Sequence, residues 1–196
     1  MQASVNVFDV KKQREEWLEF EKTVDRSRLV FLDESGVNTD LNRIYGRSIG
    51  KKRVYDHSPL NTPTITTVLS SIRTDGSTIA VTYNGGTTGD RFSEYLKNNL
   101  IPELKSDDIV IMDNLRSHHV QAVKEAFEEA KIQYMYLPAY SPDLNPIEKM
   151  WSKVKSILRK WKIRNVLDLP QAIQKALSLV SPTDCLHWFE SCGYYC

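Results

Sequence analysis

Residues 134–151 read Tyr-Met-Tyr-Leu-Pro-Ala-Tyr-Ser-Pro-Asp-Leu-Asn-Pro-Ile-Glu-Lys-Met-Trp. This stretch begins as the end of a β-strand, crosses a proline-rich loop and enters a helix. Pro146 suits the first helical position, where a backbone N–H has no intrahelical partner to lose. The pattern therefore predicts that Glu148 lies on the first turn of a helix.

Two further acids directly follow apolar runs. Asp33 follows Leu29–Leu32, and Asp113 follows Ile109–Met112. Runs without polar alternation are typical of strands buried on both faces, and such strands are usually parallel neighbours in a sheet. We therefore expect the two strands to be adjacent and to bring Asp33, Asp113 and Glu148 together. Carboxylate oxygens are ligands that Mg²⁺ prefers, usually together with substrate phosphates.

Each acid also has a simpler interpretation. Asp33 and Asp113 could each begin a turn after a buried strand, because Asp is a common turn residue. Asn145 and Glu148 have the spacing of a capping box, in which the glutamate bonds back to the cap's own N–H. The residues alone leave these alternatives open.

The order of elements predicts an α/β fold with a mixed five-stranded sheet and helices on both faces. The predicted order is a helix over 9–24, a strand over 29–33, a hairpin over 64–73 and 78–83, a helix to about residue 100, a strand over 109–112, a helix over 117–130, a strand over 132–137 and three further helices. Residues 35–63 have no regular period and are predicted to form a long basic loop. We expect one domain over 1–196.

Charge is distributed unevenly along a chain whose net charge is only +1. Residues 149–164 hold seven Lys or Arg and no acid, and residues 43–53 hold five more. A positive field beside a cluster of carboxylates suits a polyanion such as DNA. The candidate DNA-contact residues are Arg47, Lys51, Lys52, Arg53, Lys149, Lys153, Lys155 and Arg159.

Three strings together resemble the catalytic domain of bacterial insertion-sequence transposases in the Tc/mariner superfamily. They are Val30–Gly36, Ile109–Asn114 with His118 following, and Leu137–Trp151. The 34 residues between Asp113 and Glu148 also match that family's Asp-Asp-Glu spacing. The resemblance covers the chain from about residue 9 to its end.

The resemblance implies a ribonuclease H-like fold and a DDE transposase that cleaves DNA strands at transposon ends and transfers them. It implies that Asp33, Asp113 and Glu148 are catalytic and hold two Mg²⁺ or Mn²⁺ ions, with Asn114 and His118 in supporting roles. Its implied partners are double-stranded DNA at transposon ends and target, and a second copy of the chain in the active form. The family's usual N-terminal helix-turn-helix modules are not in this sequence, so the expectations are a split gene, in which a separate polypeptide or reading frame supplies them, or a truncated copy.

Two other functions remain open at this stage. One is a ribonuclease H-like nuclease without transposition, and the other is a non-catalytic DNA-binding or dimerisation subunit derived from a transposase. No apolar run approaches the roughly 20 residues that span a bilayer, and the N-terminus lacks the layout of a secretory signal. We therefore expect no membrane partner and a cytoplasmic location, associated with the nucleoid of a prokaryotic cell.

Overall fold

The computed structural model describes residues 7–43, 45–60, 62 and 64–195. It contains a five-stranded sheet of order β3-β2-β1-β4-β5. The strands are β1 (Leu29–Val37), β2 (Thr66–Ile72), β3 (Ala80–Asn84), β4 (Ile109–Met112) and β5 (Gln133–Tyr136). The β1–β2 and β2–β3 pairs are antiparallel, whereas β1–β4 and β4–β5 are parallel. The predicted mixed sheet is therefore confirmed, with β1 and β4 as parallel neighbours.

Six α-helices are found within the described residues. They are α1 (Val7–Glu21), α2 (Gly89–Tyr95), α3 (Gln121–Ala130), α4 (Pro146–Trp161), α5 (Leu169–Leu177) and α6 (Pro182–Ser191). Helix α2 is capped by Thr88, whose side chain accepts a hydrogen bond from the N–H of Arg91, and it continues as a π-helical turn over Leu96–Leu100. No helix in the described ranges is long and apolar enough to cross a membrane.

Helices cover both faces of the sheet, as predicted. Alternate residues of β1 point to opposite faces because the strand has a period of two. Phe31 belongs to a large core that packs the sheet against α1, α4, α5 and α6. Leu32 belongs to a smaller core formed with α2 and α3.

Several predicted boundaries were wrong. The first helix, predicted over 9–24, is α1 and ends at Glu21, and two further differences have a structural reason. Strand β1 does not end at Asp33 but runs on to Val37, because β2 pairs with it along its whole second half. The long loop therefore begins at Asn38 rather than at Ser35. The helix predicted from Ser117 begins only at Gln121, after a 3-10 turn over Arg116–His119.

Candidate active site

Asp33 lies inside β1 and is almost fully buried, with 6% of its surface exposed. The register of the parallel pair explains its position. Leu32 aligns with Met112 as the last pair of β1 and β4, so Asp33 and Asp113 are the next residues of two adjacent strands. Neighbouring strands are about 5 Å apart, so this register places the two acids side by side.

Both oxygens of the Asp33 carboxylate accept hydrogen bonds. Oδ1 accepts from the N–H of Glu34 at 2.8 Å, and Oδ2 accepts from Nε1 of Trp151 at 3.3 Å. Burial, together with the negative charges of Asp113 and Glu148, raises the pKa of Asp33 to about 8. The three acids are therefore within electrostatic reach of one another.

Glu148 lies on the first turn of α4, as predicted. Asn145 precedes the helix, but its side chain makes no capping hydrogen bond. Its buried Oδ1 has no partner in the described part of the chain. The capping-box interpretation is therefore not supported. The exposed Glu148 instead lines a groove of about 380 Å³ that Asp113 also lines.

The donor set fits a hard divalent cation in chemistry and in place. Its members offer only carboxylate oxygens, they lie at one end of the β1–β4 pair, and Asp33 is a buried acid with like charges beside it. However, no group of three or more His, Cys, Asp or Glu side chains among the described residues is already arranged to hold an ion. Like charges at this end of the sheet disfavour one another's ionised form, and a bound cation would offset that repulsion.

Of the two predicted supporting residues, His118 makes the more contacts. It is fully buried, its Nε2 lies 3.1 Å from Oε2 of Glu34, and its Nδ1 lies 2.9 Å from Oδ1 of Asp113. Burial by itself would lower the pKa of His118, but the two carboxylates outweigh it and raise the pKa to about 9. Sequence analysis did not identify Glu34, whose partner is 84 residues away.

Asn114, the other predicted supporting residue, connects two loops at the groove. Its Nδ2 donates to the carbonyl oxygen of Leu137 at 2.5 Å, and its Oδ1 lies 3.2 Å from Nε2 of His119. Leu137 begins the proline-rich loop that leads to Glu148. Asn114 therefore joins the segment after Asp113 to the segment before Glu148.

The proline-rich loop is also held from outside the groove. Arg14 of α1 contacts Oγ of Ser141 at 2.6 Å and both carboxylate oxygens of Asp143. The Tyr194 hydroxyl donates to the carbonyl oxygen of Leu144 at 2.9 Å and accepts from Nε1 of Trp17. These contacts fix the direction in which α4 starts.

The four predicted basic residues of α4 do not share one face. At about 100° per residue, Lys155 and Arg159 lie within about 20° of Glu148, whereas Lys149 and Lys153 lie more than about 90° away. Lys153 forms an ion pair with Asp184, the acid of a capping box that starts α6. Only Lys155 and Arg159 therefore extend the surface beside Glu148.

The basic loop is open to solvent. Arg47, Lys52 and Arg53 are exposed, and the Arg53 guanidinium lies 5.9 Å from the centre of the Tyr55 ring. The side chain of Lys51, which was also predicted to contact DNA, lies outside the described residues. Arg164 holds the base of the loop by donating to the carbonyl oxygens of Thr39, Leu41 and His57.

Comparison with known protein families identifies the chain. The model of the DDE superfamily endonucleases matches residues 28–169, which include all three acids. The chain belongs to the DDE superfamily endonuclease family. A comparison with curated protein sequences gave no significant match to this DDE endonuclease.

Solved structures resemble this DDE endonuclease over nearly its whole length. The Mos1 transposase paired-end complex with left transposon end matches with a TM-score of 0.77 at 17% identity, covering 98% of this chain and 61% of that one. The Mos1 strand transfer complex matches with a TM-score of 0.76 at 17% identity, covering 94% of this chain and 57% of that one. The catalytic domain of Mos1 mariner transposase matches with a TM-score of 0.67 at 15% identity, covering 98% of this chain and 92% of that one. These matches confirm the ribonuclease H-like fold, and the chain spans about three fifths of the longer Mos1 chains.

Proposed function

We propose that this chain is the catalytic domain of a DNA transposase that cuts strands at transposon ends and joins them to target DNA. One observation carries the proposal. The β1–β4 register sets Asp33 beside Asp113, and α4 brings Glu148 close enough to raise the pKa of Asp33. Membership of the DDE endonuclease family supports the same three residues as the catalytic set.

The acids have distinct roles in this proposal. Asp33 is the central acid, because both its oxygens are held by N–H donors at fixed positions. Asp113 and Glu148 approach from two sides of the groove that they line. Two bound Mg²⁺ or Mn²⁺ ions would activate the attacking hydroxyl group and stabilise the leaving oxygen of the scissile phosphate. The chain's own contribution is to orient three carboxylates around that phosphate.

DNA is the proposed substrate, held through its phosphates. Lys155 and Arg159 continue along α4 from Glu148, and the exposed Arg47, Lys52 and Arg53 lie on the loop after β1. Contacts of this kind position a duplex without reading its sequence. Three of the similar Mos1 structures are paired-end or strand transfer complexes, one of them with the left transposon end, which supports DNA as the substrate of this chain.

The full reaction needs partners in this proposal. A second copy of the chain would bring the other transposon end, in line with the paired-end complexes of the Mos1 transposase. A helix-turn-helix module, on a separate polypeptide or on further chain, would read the terminal repeat. A metal-dependent nuclease acting alone remains the competing function.

The test is a cleavage and strand-transfer assay on a labelled DNA duplex with Mg²⁺ or Mn²⁺. Asp33→Asn, Asp113→Asn and Glu148→Gln keep side-chain size, so each is expected to abolish cleavage while leaving the far-ultraviolet circular dichroism spectrum and DNA affinity unchanged. Glu129→Gln, an exposed acid on α3, is the matched control. Normal nicking by any of the three variants would remove that residue from the mechanism. Cleavage without joined products would favour the nuclease.

A further inference from the structure

His118 lies between Glu34 of β1 and Asp113, the residue after β4. Its Nε2 is 3.1 Å from Oε2 of Glu34, and its Nδ1 is 2.9 Å from Oδ1 and 3.2 Å from the backbone oxygen of Asp113. Carboxylate and carbonyl oxygens are acceptors, so both ring nitrogens must carry a proton to satisfy them. The imidazole is therefore a bridge from Glu34 to Asp113.

The His118 ring has little freedom to move. It stacks on Phe92 of α2, with ring centres 4.1 Å apart and planes inclined by 28°. The hydroxyl of Tyr136 on β5 donates to the His118 backbone oxygen at 2.8 Å. Both the ring and its backbone are consequently fixed by neighbouring elements.

This bridge determines how the Asp113 carboxylate is oriented. Oδ1 accepts from the N–H of Leu115 at 3.1 Å and also faces Nδ1 of His118. Oδ2 has no hydrogen-bond partner among the residues that the structure describes. With Oδ1 held by the protein, Oδ2 is the oxygen left for the groove that Glu148 also lines.

We propose that Glu34, acting through His118, is a positioning residue that holds Asp113 with Oδ2 toward the groove and thereby sets the affinity for the divalent ion. The inference rests on the proposed function, because it takes Asp113 as a metal ligand. Asp33 and Glu34 are consecutive on β1 and point to opposite faces of the sheet. Asp33 accepts a hydrogen bond from Trp151 of α4, while Glu34 contacts His118. Neighbouring residues of β1 therefore contact the site on opposite faces of the sheet.

The effect of such indirect contacts on metal affinity has a typical size. Removing a residue that orients a metal ligand typically costs about 10- to 100-fold in metal affinity. A Glu34–His118 pair with a purely structural role would instead lower the free energy of unfolding and leave metal affinity unchanged. The two roles therefore differ in a measurable way.

The experiment is a Mn²⁺ titration of the folded chain without DNA, followed by the electron paramagnetic resonance signal of free Mn²⁺. Glu34→Ala is expected to weaken Mn²⁺ binding by about 10- to 100-fold. Glu34→Gln should restore most of the affinity, because its carboxamide oxygen can still accept from Nε2 of His118. Glu128→Ala, which removes an exposed acid of α3, is the control for loss of charge alone.

A second variant keeps the test decisive if Glu34→Ala does not fold. Glu34→Asp retains the charge but is one methylene too short to reach His118, so it should also weaken Mn²⁺ binding. Affinity equal to wild type in a folded Glu34→Ala or Glu34→Asp variant would overturn the positioning role. Asp113→Asn separates the two proposals: if that variant binds Mn²⁺ as wild type does, the metal role of Asp113 in the proposed function is wrong.

Discussion

The indole Nε1 of Trp151 donates a hydrogen bond to Oδ2 of Asp33 across 118 residues of sequence. Trp151 lies one helical turn after Glu148 on α4. The same helix therefore presents one acid to the groove and fixes the orientation of another. Any displacement of α4 relative to β1 would alter both acids at once.

Trp151→Phe tests this link. The substitution keeps an aromatic ring in the core but removes the donor to Asp33, so we expect a loss of about 1–3 kcal/mol in the free energy of unfolding and slower DNA cleavage. Urea unfolding and single-turnover cleavage measure the two effects. Trp161→Phe, on the same helix and 37% exposed, should change neither by much. Full cleavage activity in Trp151→Phe would show that the indole is not needed for the chemistry.

The metal-free protein should lose stability as pH rises. The pKa of Asp33 is raised from 3.8 to about 8 by burial and by Asp113 and Glu148. The pKa of His118 is raised from 6.5 to about 9, because the carboxylates of Asp113 and Glu34 outweigh its burial. In both cases the folded state binds the proton more tightly than the unfolded state. The stability that each group contributes is therefore complete below its unfolded pKa and is lost as pH rises toward its folded pKa.

Asp33 and His118 should affect stability over different pH ranges. Asp33 should act between about pH 4 and 8 and His118 between about pH 6.5 and 9, each with a limiting slope of about 1.4 kcal/mol per pH unit. Urea unfolding at a series of pH values in a metal chelator measures the slope. Asp33→Asn should reduce the dependence between about pH 4 and 6, and a dependence unchanged in that variant would contradict this assignment.

Lys155 and Arg159 should contribute to DNA affinity, whereas Lys153 should contribute to stability. The double substitution Lys155→Ala with Arg159→Ala is expected to weaken DNA binding and to lower the slope of log affinity against log salt by about 1 for each residue. Fluorescence anisotropy at several salt concentrations measures this slope. Lys153→Ala, the control, breaks the ion pair with Asp184 and should cost up to about 1 kcal/mol of stability with an unchanged salt slope. An equal loss of slope in both proteins would refute the division of α4 into two faces.

Tyr194→Phe should loosen the loop before Glu148. Its hydroxyl is buried between Nε1 of Trp17 and the carbonyl oxygen of Leu144, at 2.9 Å from each. Removing it leaves both partners unsatisfied, at an expected cost of about 1–3 kcal/mol. Hydrogen exchange of the backbone amides over 141–148 should become faster. The exposed Tyr195, changed to Phe, serves as the control, and unchanged exchange in Tyr194→Phe would exclude a bracing role.

Local patterns predicted much of this fold. Uninterrupted apolar runs located β1 and β4. Because both runs lack polar alternation, they predicted that the two strands are parallel neighbours. Pro146 marked the start of α4 correctly, because a proline at the first helical position acts within one turn. By contrast, the extension of β1 beyond Asp33 depends on pairing with β2, which the β1 sequence does not encode.

The site was predicted in its three acids but not in the residues that orient them. The Glu34–His118 and Asp33–Trp151 contacts join residues 84 and 118 positions apart, and no local spacing signals them. The charge pattern also did not predict the individual roles of the basic residues. Lys153 and Arg164 belong to one basic run, yet one pairs with Asp184 and the other binds the carbonyl oxygens of a loop.

The Tyr194 hydroxyl bond to Leu144 has a consequence for how the molecule is made. Tyr194 is synthesised 50 residues after Leu144 and 177 residues after Trp17, yet it connects the two. Domains generally fold as units, and Phe31 of β1 packs against the ring of Tyr194 in the same core, so this tyrosine belongs to the unit that must fold. A stalled or prematurely released polypeptide that lacks Tyr194 would therefore lack the hydroxyl that secures the segment leading into α4 and its glutamate.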